Sequence, residues 1–527
     1  MNLLRDEWLP VIKQDGSRDT ISIKQITQAY EENPIVELDA PRPDFRNGLY
    51  QLLIGIFQVA VAPEDEDEWD FLFYEPYNEE SIEHKLIQYE DSFEIDSDGP
   101  SFMQDYDLLE DQEVENLRNL FVDLPSNEHF NKRIPQEIDA HWGAVLLYSL
   151  QTFGPAGGRG QRTGIRGGGP VTTIVIPGDL HERSTSLWEK IWSNIFPTES
   201  VDSFTGNPKK KEKSDIFPWM KPTVVSDKTG KYVYPQECNP LVMYFAMPRR
   251  IRLLFEYRAG ICGITGKKTN AVVTGYRTYH SGNAYQGHWR HPLNAYRYQN
   301  DRQAPPISIK GSPAGFSYRD WMLLSFDYEG KDSITPSNVQ HAQNSDYRKE
   351  IIKERGSLTW NAGYDLTNMK ARSWYEALMP VYPLDSHQAT FVKSFVENAI
   401  AAAQDCISSL RRGIKTAWYK QEAKDVNGDF SFLDRDFYSK TERDFYRTLD
   451  TLVKRVGDDD TRSECAKVWE KIIKQKTLEI FDAWALSEQE DGLDMKRVIS
   501  GRGELFRGFS RASKKLSVMQ KEVMQNE

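Results

Sequence analysis

The residues best suited to meeting an anion lie in one run from Gly154 to Pro170, where Gly157, Gly158, Gly160, Gly164 and Gly167 to Gly169 alternate with Arg159, Arg162 and Arg166. Glycines strip bulk from a loop and leave backbone N–H groups open to close approach, while the arginines add positive charge. Such a loop suits a phosphate backbone or a groove, although a flexible linker with solvating arginines has the same composition. Apolar residues at helical spacing (Val145, Leu146, Leu147, Leu150, Phe153) precede the run, and the β-branched stretch Val171 to Ile176 follows it. The order is therefore helix, loop, strand. A dinucleotide fingerprint needs strand, loop, helix and a different glycine spacing, and a Walker loop needs Gly-Lys-Ser/Thr where this chain has Gln161, Arg162 and Thr163. Neither motif is matched.

A second stretch, Thr274 to Pro292, interleaves Arg277 and Arg290 with Tyr276, Tyr279, Tyr285 and Trp289. Cations beside rings hold nucleic acid, since bases stack while phosphates meet charge; a half-buried sheet uses the same tyrosines. His280, His288 and His291 are candidate general bases or metal ligands, but no carboxylate within the stretch orients them. A phosphate-handling nuclease or hydrolase built on the glycine loop and these histidines is the enzymatic alternative. His129, Phe130 and Asn131, followed by Lys132 and Arg133, again join a ring, an amide and cations in a mixture suited to single strands, or form an ordinary loop anchored by Phe130. At Thr367 and Asn368 a turn is expected, and an asparagine both donates and accepts, as reading base edges requires. Gly260 to Lys268 has the outline of a zinc knuckle with one cysteine, Cys262; Asp139 or His141 would have to complete it, and neither metal nor cofactor is expected.

These residues need a large scaffold. The 527 residues suffice for several cores. A net charge of −13 argues on average against a nucleic-acid binder, but the charge is segregated. Acidic residues dominate from Glu64 to Glu115, whereas from Met247 to Lys310 arginines and lysines stand against only Glu256 and Asp301. The 4 cysteines are too scattered for a disulfide framework, which fits a reducing cytoplasm. The charged first residues do not resemble a signal peptide, and no apolar stretch reaches the roughly eighteen residues a membrane span needs. Short strands are expected at Leu9 to Ile12 and Thr20 to Ile23, a helix from Phe45 to Ala60, a short helix from Ser186 to Phe196, and a strand from Arg249 to Tyr257. Thr198 to Asp227 reads as a mobile loop or linker. Beyond Pro380 and Pro383 no strand is evident; four apolar stripes follow, the third opened by a capping box at Thr461 and Glu464 and the fourth preceded by one at Ser487 and Glu490. The expected fold is α+β: a large mixed α/β body over residues 1–380, then an antiparallel four-helix bundle over 386–527.

Met1 to Leu4 with Trp8, Leu9 and Pro10, the block Gly164 to Thr173, the segment Gly287 to Pro292, and Gly363 with Tyr364 occur in the same order in the CasA family, which this chain resembles along essentially its whole length. CasA is the large subunit of the type I-E Cascade complex of CRISPR immunity. The resemblance implies a non-catalytic subunit that reads the PAM of double-stranded target DNA from the minor groove, promotes R-loop formation and helps recruit the helicase-nuclease. Its implied partners are the backbone, small and guide-handle-binding Cascade subunits, the CRISPR guide RNA and duplex DNA. Carried over by position, Gly157, Gly158, Arg159 and Gly160 would lie against the PAM, and the family's groove-reading lysine falls on His280. Its reading and wedging hairpin falls on Thr367, Asn368 and Met369, and its guide-handle loop on His129, Phe130 and Asn131. Three departures stand out. A histidine brings no permanent charge, which leaves Arg277 as the alternative cation; Arg159 replaces a glycine of some relatives; and Met369 is an apolar candidate for the wedge in place of glutamine.

Overall fold

Asp15 and Gly16 close a tight turn, Gly16 at a φ of +86°, and so fold strand β1 (Leu9–Lys13) back on β2 (Arg18–Ile21), with β3 (Ile35–Leu38) on the other edge of β1. In this computed structural model, residues 1–126, 135–158, 160–178, 185–226, 230–326, 332–420, 422–486 and 494–521 are described. They form two compact units, Met1–Ser312 with Leu323–Val381, and Pro313–Met322 with the chain from Tyr382.

In the first unit, Pro43 at the first helical position opens α1 (Pro43–Ala60), which buries the expected stripe Leu49, Leu52, Leu53, Ile56 and Phe57. The acidic stretch supplies α2 (Glu66–Tyr74) and α3 (Glu79–Leu86), followed by β4 (Val114–Asn116) and β5 (Ile138–Asp139). Helix α4 (Ala140–Phe153) feeds the glycine run, and β6 (Thr172–Pro177) leaves it. α5 (Leu187–Trp192) is capped by Ser186. Residues 198–226 are not the linker that their polarity suggests: they fold into α6 (Thr198–Val201), α7 (Lys213–Ile216) and a 3-10 turn, because Phe217 and Trp219 are fully buried in the main core. β7 (Arg250–Glu256), the small ribbon β8 (Gly260–Ile261) and β9 (Lys268–Thr269), and β10 (Val272–Tyr279) come next. β10 is the centre of its sheet, pairing β7 along one edge and β4 and β5 along the other, all antiparallel. β11 (Tyr296–Arg297), β12 (Ile307–Ser308) and β13 (Ser333–Ile334) make a minor sheet; α8 (Trp321–Leu324), whose first two residues belong to the second unit, α9 (Ser337–Asn344) and α10 (Asp346–Arg355) lead to a long ribbon. That ribbon is β14 (Ser357–Thr367) and β15 (Lys370–Pro380), and β14 pairs β6, so the strand leaving the glycine run and the ribbon belong to one sheet.

The start of α4 is locked electrostatically. Asp139 caps it, accepting from the N–H groups of His141 and Trp142, while the His141 ring lies 3.2 Å from Asp6 and 3.6 Å from Asp139 and stacks on Trp8. The hydrogen bond from His141 holds the Asp6 carboxyl down at about 2. Burial works against charge on His141, but the two carboxylates outweigh it and raise its pKa above 6.5. A raised histidine stabilises fully below its unfolded value and loses that contribution as pH rises through the folded value; a depressed aspartate contributes above 3.8 and is lost as pH falls through about 2. The melting-temperature difference between the natural chain and His141→Gln is therefore expected to be largest between about pH 4 and 6.5 and to shrink on the alkaline side. A difference that grows above pH 7 would contradict this arrangement.

In the second unit, α11 (Ser386–Trp418), α12 (Ser431–Lys454), α13 (Asp459–Ala485) and α14 (Met495–Lys521) pack as the expected four-helix bundle. Its membership differs from the sequence boundary, because residues 313–322 belong to it: Tyr318 stacks on Phe445 at 4.2 Å and shares a 2.9 Å hydrogen bond with Thr441. The cap of α13 is Asp458 rather than Thr461, and the Ser487–Glu490 box lies outside the described residues. No described helix is long and apolar enough to cross a membrane.

Candidate nucleic-acid interface

The glycine run is a structured ridge rather than a linker. The Gly157 N–H donates to Gln161 O at 3.3 Å and the Gln161 N–H to Gly158 O at 3.4 Å, which closes a turn with Gly158 exposed at its tip. A Cβ on Gly158 would meet nothing within 4 Å, whereas Gly160 has a φ of +72° and a Cβ there would come within 3.5 Å of His280 Cβ. The Ser281 N–H donates to Gly160 O at 3.1 Å. The loop and the turn after β10 therefore adjoin, which brings Gly160 to His280, whose ring stacks on Tyr279 at 4.3 Å. Arg159, His129, Phe130 and Asn131 lie outside the described residues.

The other end of the run meets the ribbon. Gly169, with a φ of +60°, leaves no room for a Cβ, which would stand 2.6 Å from Leu366 Cδ1. Leu366 immediately precedes the tip, where Thr367 pairs with Lys370 across Asn368 and Met369. The φ values of those two residues, +48° and +63°, mark a two-residue primed turn, one position later than the sequence suggests. Left-handed backbone costs a methionine of order 1 kcal/mol, and Met369 is nonetheless 60% exposed, an apolar side chain presented at a strained tip. Arg372 pairs with Asp365 across the ribbon at 2.8 Å, next to the exposed Lys370.

Several cations expected on this surface are structural. Arg162 braces the loop by donating to Ser226 Oγ and O at 3.0 and 2.8 Å. Arg166 is buried on Thr172 and Gln51, and burial draws its pKa down to about 10. Arg249 holds Pro155 O, Arg250 pairs with buried Asp105, and Arg252 donates to the carbonyls of Ser97, Gly99 and Asp105. The basic stretch is thus not one cationic face: Arg249, Arg250 and Arg252 compensate a buried carboxylate and backbone carbonyls, which composition cannot distinguish from solvent-facing charge. Arg277 stands half-buried within β10, opposite Arg252 and Val114, with no acceptor for its Nε among the described residues. His280, beyond the end of the strand, is the residue against the loop. Sequence reading missed Lys310 as a site residue; it is exposed, its Nζ would lie 3.5 Å from a Cβ on Gly167, and it pairs with Pro170.

The histidines do not form one centre. His291 is 3% exposed beneath Tyr244, and burial holds its pKa well below 6.5; His288 lines a 530 Å³ pocket with Arg290 and His341. Cys262 is buried and free, and among the described residues no three His, Cys, Asp or Glu side chains are grouped to hold a metal ion.

The family model for CRISPR-associated protein Cse1 matches residues 2–480. The chain belongs to the Cse1 family. Its fold is that of solved Cse1 structures: Thermus thermophilus CasA (Cse1) has a TM-score of 0.70 at 16% identity, covering 97% of this chain and 99% of that one. Thermobifida fusca Cse1 gives 0.70 at 16% identity, with 98% of both chains covered, and Acidimicrobium ferrooxidans Cse1 gives 0.66 at 16%, with 98% and 99% covered. A chain of a CRISPR RNA-guided surveillance complex matches at 0.62 and 14% identity over 96% of this chain and 99% of that one. At these identities the Cse1 likeness is one of fold.

Proposed function

We propose that this Cse1-family chain is the non-catalytic, PAM-reading large subunit of an RNA-guided surveillance complex in the cytoplasm. It works with the other Cascade subunits and a CRISPR guide RNA, opens duplex target DNA for R-loop formation and helps recruit the helicase-nuclease. The juxtaposition of Gly160 with His280, beside an open Gly157–Gly158 turn, carries the reading: bare backbone and a ring meet where a groove edge can approach. The exposed tip supports it with a reader and a wedge, since Asn368 donates and accepts on a base edge and Met369 can part a base step. Minor-groove reading is degenerate, so tolerance of several PAMs is expected.

Asn368→Ala tests base reading. In the assembled complex it is expected to compress the affinity spread among PAM duplexes by roughly tenfold, about 1.4 kcal/mol, while binding to PAM-free duplex stays within about twofold. Titrating both duplex sets checks this; equal losses on both would mean that Asn368 makes only backbone contacts.

A further inference from the structure

The helical bundle has a groove of its own, about 870 Å³, lying wholly within the second unit. Its walls are the C-terminal half of α11 and the N-terminal half of α14. Glycine lets those helices approach closely; a Cβ on Gly413 would stand 2.7 Å from Gly501 O. Arg411, Arg412, Lys415, Lys420, Lys496 and Arg497 line the groove, with Lys424 and Arg507 at its margin, and its carboxylates are Glu422 and Glu504.

Those carboxylates are already engaged. Glu422 pairs with Lys424 at 2.8 Å, and Glu504 is shared by Arg507 at 2.9 Å and Arg412 at 3.7 Å. Arg411 is satisfied by Asp434, and Lys415 donates to Val426 O at 2.9 Å while lying over the Phe430 ring. Positive charge is left over. Lys420 and Lys496 are exposed and make no ion pair among the described residues. Among the described residues Arg497 Nε is buried with no hydrogen-bond acceptor, and Asp494 lies 3.6 Å from it. An excess of one sign in a concave wall focuses field and concentrates counter-charge. Tyr419, on the same lining, is 43% exposed and offers a ring face.

We propose that this groove binds the sugar–phosphate backbone of a single-stranded nucleic-acid segment, with Tyr419 as a stacking face for one base. Guanidinium forks match phosphate oxygens in pairs, ammonium groups add point charge, and a ring beside them is the pairing by which single strands are held without sequence preference. An acidic peptide would use the cations but has no need of the ring. The proposal stands independently of the PAM-reading role of the first unit.

The test is fluorescence anisotropy of a labelled oligothymidylate on the full-length chain between 50 and 200 mM salt, roughly the range in which phosphate contacts are resolved. Lys420→Glu with Lys496→Glu is expected to weaken binding at least about tenfold and to flatten the log–log salt slope by about 1.4, given ~0.7 per phosphate contact on single strands. Tyr419→Ala should weaken it about threefold or more with the slope unchanged. Lys454→Glu, exposed on the same bundle outside the groove, should leave it intact. Unchanged affinity in the double variant overturns the proposal. So does competition by polyglutamate as effective as by unlabelled oligothymidylate, which would make this an acidic-peptide groove. Preference among PAM duplexes, measured on the same double variant in the assembled complex, reports separately on the glycine-loop reading.

Discussion

Gly158→Asp is expected to raise the dissociation constant of the assembled complex for target DNA by about 100-fold or more, a loss of about 2.7 kcal/mol, without impairing assembly. The structure separates the two effects. Gly158 is exposed, its φ is not in the left-handed region, and a side chain there meets no atom within 4 Å, so aspartate is tolerated by the fold. On the proposed reading the ridge faces phosphate, so a carboxylate at its tip adds like-charge repulsion where Gly158 presents only backbone, and such juxtaposition costs several kcal/mol. Gly158→Ala separates charge from bulk and should lose less than about tenfold, because a methyl group adds no charge. Electrophoretic mobility shift of target duplex with purified complex reads the result, and size-exclusion chromatography reads assembly. Normal target binding by Gly158→Asp would remove the ridge from the interface.

Asp105→Ala is expected to destabilise the first unit by about 3 kcal/mol or more, seen as a fall of several degrees in melting temperature. Asp105 is fully buried and its carboxylate meets Arg250 Nε at 2.5 Å; Arg250 is itself 5% exposed and cannot move its charge into water. Removing the carboxylate strands a guanidinium in the interior, which costs more than the pair contributes. Asp107, the second partner of Arg250 at 2.8 Å, has a side chain 65% exposed, so Asp107→Ala should cost less than about 1 kcal/mol. Equal effects from the two alanines would show that burial does not govern this network. The change reaches the interface as well, because Arg250 lies over the Tyr279 ring that stacks on His280.

The helix–loop–strand order around the glycine run was readable because its flanks switch from helical spacing to β-branched residues, and α4 and β6 fall on those flanks. The bundle was readable for a similar reason, its helices being long enough for the stripe to repeat. Burial of charge was not readable. Arg249, Arg250 and Arg252 look alike in sequence to Lys310, yet the first three are held by partners up to 155 positions away and the last is exposed at the loop. The same limit hid Phe217 and Trp219, whose core contacts rescue a polar segment, and Tyr318, whose bundle partners lie beyond residue 430. Local pattern reports the face an element offers; it does not report which distant side chain comes to meet it.

The ribbon closed by Asn368 and Met369 has an evolutionary corollary. With only two residues in its bend, the ribbon pairs Thr367 with Lys370, and the register shift between Asp365 and Leu366 leaves Arg372 as an extra residue beside the apex, taken up as a bulge while the rest of the eleven-residue arms stays paired. Such an apex admits change in two ways, by replacing its two side chains at constant length or by adding a bulge in an arm, and neither disturbs the pairing of Ser357 to Ala362 with the strand that leaves the glycine run.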